Sequence, residues 1–213
     1  MESPTKSPSI SNRKPLQGRS RERVNKVLAV AETLLLEVGP EGLSIPDVAR
    51  QSGVPRASIY QFFPNKYALL LAIADIHLGR VAALIGTIEH QLRGASLEAL
   101  GTITTRAAAD YYNHHPVASM LILGGPMSRN AYLAQEFTIQ DIGRRLRALL
   151  ARDRPQLVVP DDPDVMTIAV EIAFACMKHS YFTHASITDA MAEQAAQAAV
   201  AYLRLWLPET AYD

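Results

Sequence analysis

Residues 44–66 constrain the fold of this chain more than any other segment, because two short amphipathic stretches flank a glycine there. Ser44 can cap the first stretch with its hydroxyl, and Asp47 follows at capping-box spacing. Gly53 can adopt the positive φ that ends a helix, and Val54–Pro55 then keeps the chain extended. Only about three residues separate the two helices, a spacing typical of a helix-turn-helix.

The second of these helices, predicted over Pro55 to Phe63, has one apolar face. Ile59 and Phe63 are four residues apart and should lie together toward the core. The other positions would face outward with side chains that suit the DNA major groove, where arginine and glutamine bond base edges and hydroxyls reach phosphate. The candidate DNA-contacting residues are Arg56, Ala57, Ser58, Tyr60, Gln61 and Phe62, with Ser44 and Lys66 at neighbouring helix starts.

The stretch from Ser44 to Leu70 closely resembles the DNA-binding domain of the tetracycline-repressor (TetR) family of bacterial regulators, and the match covers about residues 21–72. In that family the domain begins with an amphipathic helix that ends in glycine. The apolar spacing from Val24 to Val38, followed by Gly39–Pro40, fits this pattern. Two positions depart from the family pattern: Pro55 replaces a common capping Ser or Thr, and Phe62 replaces a common phosphate-binding Tyr or His. These two departures from the pattern indicate a second helix without a side-chain cap and an apolar contact at Phe62.

Composition and cysteine usage fit a soluble globular protein, with 48% hydrophobic and 20% charged residues in a chain of 213. We expect no run apolar enough to cross a membrane and no signal peptide, which predicts a cytoplasmic protein. Cys176, the single cysteine, cannot form an internal disulfide. The sequence contains no nucleophile elbow, zinc-binding His-Glu-x-x-His or phosphate-binding glycine loop, so we expect neither an enzyme nor a cofactor.

The net charge of zero conceals a division between the two ends of the chain. Residues 1–66 carry ten basic and six acidic side chains, so the rest of the chain is acidic by the same margin. Because phosphate binding releases counterions from DNA, the basic end is the one expected to meet the duplex. Residues 1–20 are polar, rich in proline and almost free of apolar side chains, which predicts a flexible basic tail. Contact of this tail with DNA and a simply solvated tail are both open.

Beyond residue 75 the pattern stays helical, and the predicted fold is all-α. We expect a three-helix DNA-binding domain over residues 21–66 and a larger helical regulatory and dimerisation domain over residues 67–213. The predicted elements of the larger domain are helices over 66–92, 96–114, 129–151, 162–183 and 186–207, with a short apolar piece over 117–123. Asp162–Pro163 and Ser186 are the predicted starts of the last two helices.

The last two helices carry apolar side chains on more than one face, and the second presents small residues that allow close helix approach. The resemblance implies that they pair with their counterparts in a four-helix dimer interface, and a two-fold operator also favours a dimer. A buried helix pair in a monomer is the alternative. The candidate interface residues are Val165, Ile168, Ile172, Ala192, Ala195, Ala196, Ala199 and Leu203.

The resemblance also implies a mostly apolar cavity in the larger domain that binds a small-molecule effector. Aromatic residues and methionines on the middle helices are the candidate lining, with ordinary core packing as the alternative for each. They are Tyr111, Tyr112, His115, Met120, Met127, Tyr132, Phe137, Phe174, Met177 and Phe182. His114–His115 near Asp110, and Cys176 near His179, lack a recognisable third and fourth ligand, so we expect no metal.

The sequence therefore predicts a DNA-binding transcriptional regulator, a homodimeric repressor that a small-molecule effector releases from a palindromic double-stranded operator. No membrane partner is expected. A constitutive or partner-controlled regulator without an inducer is the alternative, and activation in place of repression stays open.

Overall fold

A computed structural model of the chain describes residues 14–125 and 128–207, without the side chains of 14–17 and 19. The regular elements in these ranges are helical, which confirms the all-α prediction. They are α1 (Lys14–Gly42), α2 (Ile45–Ser52), α3 (Arg56–Phe62), α4 (Lys66–Leu92), α5 (Leu97–His114), α6 (Pro116–Ala118) with a π-helical turn (Ser119–Leu123), α7 (Arg129–Asp153), α8 (Val165–His184) and α9 (Asp189–Arg204). The chain packs as two compact units, one ending at Leu69 and the other beginning at Leu70.

Helix α1 starts earlier and ends later than the sequence pattern indicates. It begins at Lys14, so residues 14–20 of the expected tail are helical, while residues 1–13 lie outside the described chain. Gly39 has a φ of 67° and interrupts the helix where the sequence predicted its end. The chain then makes one more helical turn to Gly42.

In the first unit, α1, α2 and α3 pack around a small apolar core. α1 buries Val27, Ala31 and Leu35, α2 buries Val48, and α3 buries Ile59, each with at most 1% of its surface exposed. These residues recur at helical spacing, so each helix presents one stripe to the core.

In the second unit, α8 packs against both α7 and α9, and α9 also packs against α5. A Cβ atom added at Gly143 of α7 would lie 2.6 Å from Thr167 Oγ1 and 3.0 Å from Thr167 Cα, so the two helices approach as closely as glycine permits. Beside this contact, Arg147 of α7 donates hydrogen bonds to the carbonyl of Pro160 and to the carboxylate of Asp164.

Helix α8 begins at Val165 and is capped by Asp164, not at the predicted Asp162–Pro163. The Asp164 carboxylate accepts hydrogen bonds from the backbone N–H and the hydroxyl of Thr167, at 3.2 and 2.6 Å. Partial burial raises the pKa of Asp164, but the Thr167 hydrogen bonds and the Arg147 charge outweigh it, and the net pKa is lowered. The long-range pairing with Arg147 thus selects Asp164 as the cap.

Helix α9 is capped by Thr188, whose hydroxyl accepts from Met191 N at 3.3 Å, and not by the predicted Ser186. Asn113 of α5 holds the intervening Ile187 with two backbone hydrogen bonds of 2.8 Å, which keeps this residue out of the helix. α9 ends at Arg204, three residues before the predicted Leu207.

Helix α4 corrects one expectation from the sequence. By length and composition, within the described residues, it is apolar enough to cross a membrane, whereas no such run was expected. Half of the apolar window is buried inside the chain, and core helices of soluble proteins meet the same criterion.

The close α7–α8 contact leads to a stability prediction. Gly143→Ala should lower the free energy of unfolding by about 1–3 kcal/mol, because the new methyl group meets the Thr167 backbone and forces the helices apart. Gly86→Ala is the matched control, since a Cβ there meets open space, and it should raise stability by about 0.5–1 kcal/mol. Urea unfolding of both variants measures the difference, and equal effects would contradict the packing described here.

Candidate functional site

The α2 cap fixes the start of the helix-turn-helix. Ser44 Oγ accepts a hydrogen bond from Asp47 N at 3.3 Å and donates one to Asp47 Oδ2 at 2.5 Å. Asp47 therefore contacts the Ser44 side chain, where a capping box would have it bond the Ser44 backbone N–H. The Ser44 hydrogen bond lowers the pKa of Asp47, and Arg50, at 2.7 Å, lowers it further. The carboxylate thus stays charged at the positive end of α2.

The turn between α2 and α3 forms as its sequence predicts. Gly53 has a φ of 66°, and its N–H bonds to the Ala49 carbonyl at 3.0 Å, which ends α2. The buried Ser52 hydroxyl accepts from Val54 N at 3.2 Å and closes the turn. No side chain caps α3 at Pro55, as the family departure at this position implied.

Helix α3 has the two faces that its sequence predicts. Ile59 and Phe63 are buried at 0% and 6% exposure and anchor the helix on the first unit. The opposite face is open to solvent, with Tyr60 47% exposed. Arg56, Ala57, Tyr60 and Gln61 are exposed, while Ser58 and Phe62 are half-buried. A solvent-facing side with Arg, Gln and Tyr together is suited to contact base edges and phosphate.

The structure gives Lys66 a structural role that sequence reasoning missed. Its Nζ donates to the carbonyls of Pro40 and Glu41 at 3.3 and 3.0 Å and lies 3.8 Å from the Glu41 carboxylate. Lys66 therefore holds the last turn of α1, whose carbonyls have no further helical partners. The Gly39–Pro40 break in the sequence could have indicated this role, because the unpaired carbonyls at the end of a helix need hydrogen-bond donors. The Ser44 hydroxyl is likewise used within the chain, in the α2 cap.

The second unit contains an apolar cavity of about 90 Å³, partly open to solvent, between α4, α5, α7, α8 and α9. Of the ten predicted lining residues, three lie on its wall: Tyr112, Phe174 and Met177. Burial raises the pKa of Tyr112, so its hydroxyl is neutral at physiological pH. Most of the remaining wall is aliphatic, from α4 and α5 residues such as Leu78, Val81 and Leu100. Sequence reasoning missed these residues because it selected by aromatic and methionine type, although their helical spacing was visible.

The other predicted lining residues lie elsewhere. Tyr132, Phe137 and Phe182 are exposed to solvent. Tyr111 and His115 stack on each other with ring centroids 4.1 Å apart, and the Tyr111 hydroxyl is 2.7 Å from Nδ1 of the buried His77. The remaining two positions are Met120, which is in the π-helical turn and not on the wall, and Met127, which lies outside the described residues.

The predicted dimer residues need a similar correction. Six of the eight are buried within the chain itself: Val165, Ala192, Ala195, Ala196, Ala199 and Leu203. The small residues of α9 serve its internal packing, and a Cβ at Gly101 of α5 would lie 2.7 Å from Val200. Only Ile168 and Ile172 of the predicted set remain accessible.

The accessible residues of α8 and α9 nevertheless include a mostly apolar set, which we call the α8–α9 stripe. On α8 it consists of Ile168, Ile172, Ala175, His179 and Phe182, and on α9 of Ala198 and Ala201, followed by Leu205 just beyond the helix end. Phe182 is 65% exposed and Leu205 79%. The α8 members alternate by four and three residues, the spacing of a helix seam that packs on other helices.

The histidine pairs singled out in the sequence have local partners. Nδ1 of His114 lies 2.7 Å from the Asp110 carbonyl, and Nδ1 of His115 lies 2.7 Å from the Tyr111 carbonyl. Within residues 14–125 and 128–207, no group of three or more His, Cys, Asp and Glu is placed to hold a metal ion.

Comparison with known proteins identifies the first unit. Residues 27–73 match the family model described as bacterial regulatory proteins, tetR family. No curated protein matches the sequence.

Solved structures extend the likeness to nearly the whole chain. A TetR-family transcriptional regulator from Streptomyces coelicolor is 27% identical, with a TM-score of 0.57 over 89% of this chain and 99% of that one. A putative TetR-family regulator from Mesorhizobium loti shares the fold at 17% identity, with a TM-score of 0.62 over 88% and 98%. The regulator PfmR from Thermus thermophilus is 22% identical, with a TM-score of 0.52 over 83% and 96%.

The family match spans α2, α3 and the turn between them, the elements whose geometry suits the major groove. Regulators of this family are not enzymes. Residues 27–73 therefore form a DNA-binding domain of the TetR family of transcriptional regulators, and the chain shares the fold of solved regulators of that family.

Proposed function

We propose that this regulator binds a palindromic operator as a homodimer, represses transcription, and leaves the DNA when a small-molecule effector binds in the second unit. The exposed face of α3 carries the proposal for DNA recognition. Ile59 and Phe63 anchor the helix, and Arg56 and Gln61 are left on its solvent side. A transcription factor of this kind acts in the cytoplasm, where its operator is.

Arg56 and Gln61 are proposed to contact base edges. Arg56→Ala or Gln61→Ala should each cost about 1–3 kcal/mol of operator binding and relax the preference at particular base pairs. Lys66→Ala should instead weaken binding to all DNA sequences alike. Lys66 holds the α1 turn, and a contact with phosphate would add only charge, which is the same for every sequence.

Selection from random DNA with each variant, repeated at several salt concentrations, measures both effects. A phosphate contact by Lys66 predicts a salt dependence shallower by about one unit, and a purely structural role predicts an unchanged slope. A changed base preference in Lys66→Ala, with the wild-type preference kept in Arg56→Ala and Gln61→Ala, would contradict this placement of α3.

The α8–α9 stripe is the proposed dimer interface. It includes the exposed Ile168, Phe182 and Leu205, and clustered exposed apolar side chains mark interaction sites. A two-fold dimer would bring each stripe onto its own copy and form a four-helix contact.

Phe182→Glu should therefore convert the dimer to a monomer, since it places a charge at an interface without disturbing the core. Phe137→Glu is the matched control, because Phe137 of α7 is equally exposed, at 67%, but lies outside the stripe. Sedimentation velocity measures the oligomeric state, and operator titration should show weaker binding for Phe182→Glu alone. A dimeric Phe182→Glu variant would rule out this interface.

The cavity of the second unit is the proposed effector site. Its wall includes Leu78, Val81 and Ile85 of α4, and the same helix begins with Lys66, which holds the end of α1. We propose that effector binding displaces α4 and thereby lowers the affinity for the operator.

The small volume of the cavity supports a second candidate function. About 90 Å³ is less than the roughly 150 Å³ of an engineered cavity that takes up benzene. A regulator whose core is filled would be constitutive or controlled by a partner protein.

Reciprocal binding separates the two candidates. An effector found by thermal-shift screening should weaken operator binding about 5–150-fold, and operator DNA must weaken effector binding by the same factor. Ala108→Leu places extra volume on the cavity wall and should abolish the response while leaving operator affinity unchanged. A broad panel without any stabilising or releasing compound would favour the constitutive or partner-controlled function.

A further inference from the structure

The basic side chains of the first unit differ in the partners that they already have. Arg50 forms an ion pair with Asp47 at 2.7 Å. Lys66 Nζ lies 3.0, 3.3 and 3.8 Å from three oxygen atoms at the end of α1. Lys26 of α1 is exposed, and it makes no hydrogen bond or ion pair with any residue that the structure describes. Its ammonium group is therefore available to an anion outside the chain.

The Lys26 ammonium lies beside the turn between α2 and α3. A Cβ atom added at Gly53 would be 3.9 Å from Lys26 Nζ. Val27, the next residue, is 1% exposed and packs in the core of the first unit, so burial fixes this part of α1. Arg56, the first residue of α3, follows Gly53 by three residues. The packing of α1 therefore places a second positive charge close to the start of α3.

The docking geometry of a helix-turn-helix indicates which anion this charge would meet. The first residues of the recognition helix contact base edges in the major groove, and the helix before it crosses the sugar-phosphate backbone. The turn that joins the two helices therefore lies at the edge of the groove, where the phosphates are. A lysine ammonium binds phosphate as a point charge and reads no base. A cation at Gly53 is thus suited to hold the DNA backbone.

We propose that Lys26 binds an operator phosphate beside the α2–α3 turn, so that α1 contributes to DNA binding from outside the helix-turn-helix. This inference rests on the proposed placement of α3 in the major groove and adds a further contact residue. Because phosphate contacts fix the register of a protein on the duplex, this contact would hold Arg56 at its base pair. The competing role for Lys26 is purely structural: a cation near the C-terminal end of α2 stabilises that helix.

The salt dependence of DNA affinity tests the phosphate contact. Lys26→Ala should weaken binding to the selected operator and to random duplex DNA by the same factor, because phosphate is common to both. Each lost contact should make the slope of log affinity against log salt shallower by about 0.9, so the loss per protomer should be about 3.5-fold larger at 50 mM than at 200 mM salt. Lys26→Arg keeps the charge and should keep the wild-type slope. Fluorescence anisotropy titrations measure both quantities.

Arg21→Ala is the matched control for the removal of one positive charge from α1. Arg21 is also exposed, but it precedes Lys26 by five residues and therefore lies about 140° around the helix from it. Arg21→Ala should leave the salt slope unchanged. Thermal unfolding of the free protein tests the structural role, and Lys26→Ala should have the same thermal midpoint as Arg21→Ala.

The outcomes separate this contact from the placement of α3. An unchanged salt slope in Lys26→Ala would overturn the phosphate contact, and a lowered thermal midpoint with it would establish the structural role. An equal change of slope in Arg21→Ala would also overturn it, because the effect would then come from the general charge of α1. The placement of α3 fails separately, if Arg56→Ala and Gln61→Ala keep the wild-type base preference. A shallower slope confined to Lys26→Ala would still establish the phosphate contact in that case.

Discussion

The burial of Ile59 and Phe63 is the contact on which the DNA-binding surface depends. Helix α3 has only seven residues, and an isolated helix shorter than about 12–15 residues is marginal in water. It exists because this apolar pair is buried in the first unit, beside the stripes of α1 and α2. At 3.6 residues per turn, the same burial turns Gln61 to the opposite side of the helix, whereas Arg56 is exposed at the first residue of α3. One packing contact therefore sets both the stability of α3 and the direction of Gln61.

A second constraint is the close packing of helices in the second unit. Gly143 lies against the Thr167 backbone and Gly101 against the Val200 side chain, and a larger residue at either position would clash. Four alanines of α9, Ala192, Ala195, Ala196 and Ala199, are buried in this internal packing. Consequently any partner helix must approach the opposite sides of α8 and α9, where Ile172 and Phe182 lie. The internal glycine contacts thus determine which surface is left for a second copy.

Helix α4 connects the two proposed binding events. Its first residue, Lys66, holds the carbonyls at the end of α1, and residues from Leu78 to Ile88 form part of the cavity wall. A ligand that changes the position of this wall acts on the helix that also carries Lys66. Effector binding can shift the equilibrium between two states of the protein only by as much as the effector's affinity for those states differs.

The sequence alone determined the helix-turn-helix and the all-α class, because each signal spans no more than about four residues: the Ser44–Asp47 cap, the Gly53 turn, and the Ile59–Phe63 pair. Tertiary structure decided what depends on distant residues. Arg147 selects Asp164 as the cap of α8, and Asn113 delays the start of α9 to Thr188. α8 is apolar on both sides, so periodicity could not tell its core face from its open one. The cavity wall is likewise aliphatic because five helices bring Leu, Ile and Val together; the spacing of these residues is visible within each helix, but their meeting at one cavity depends on the packing of all five.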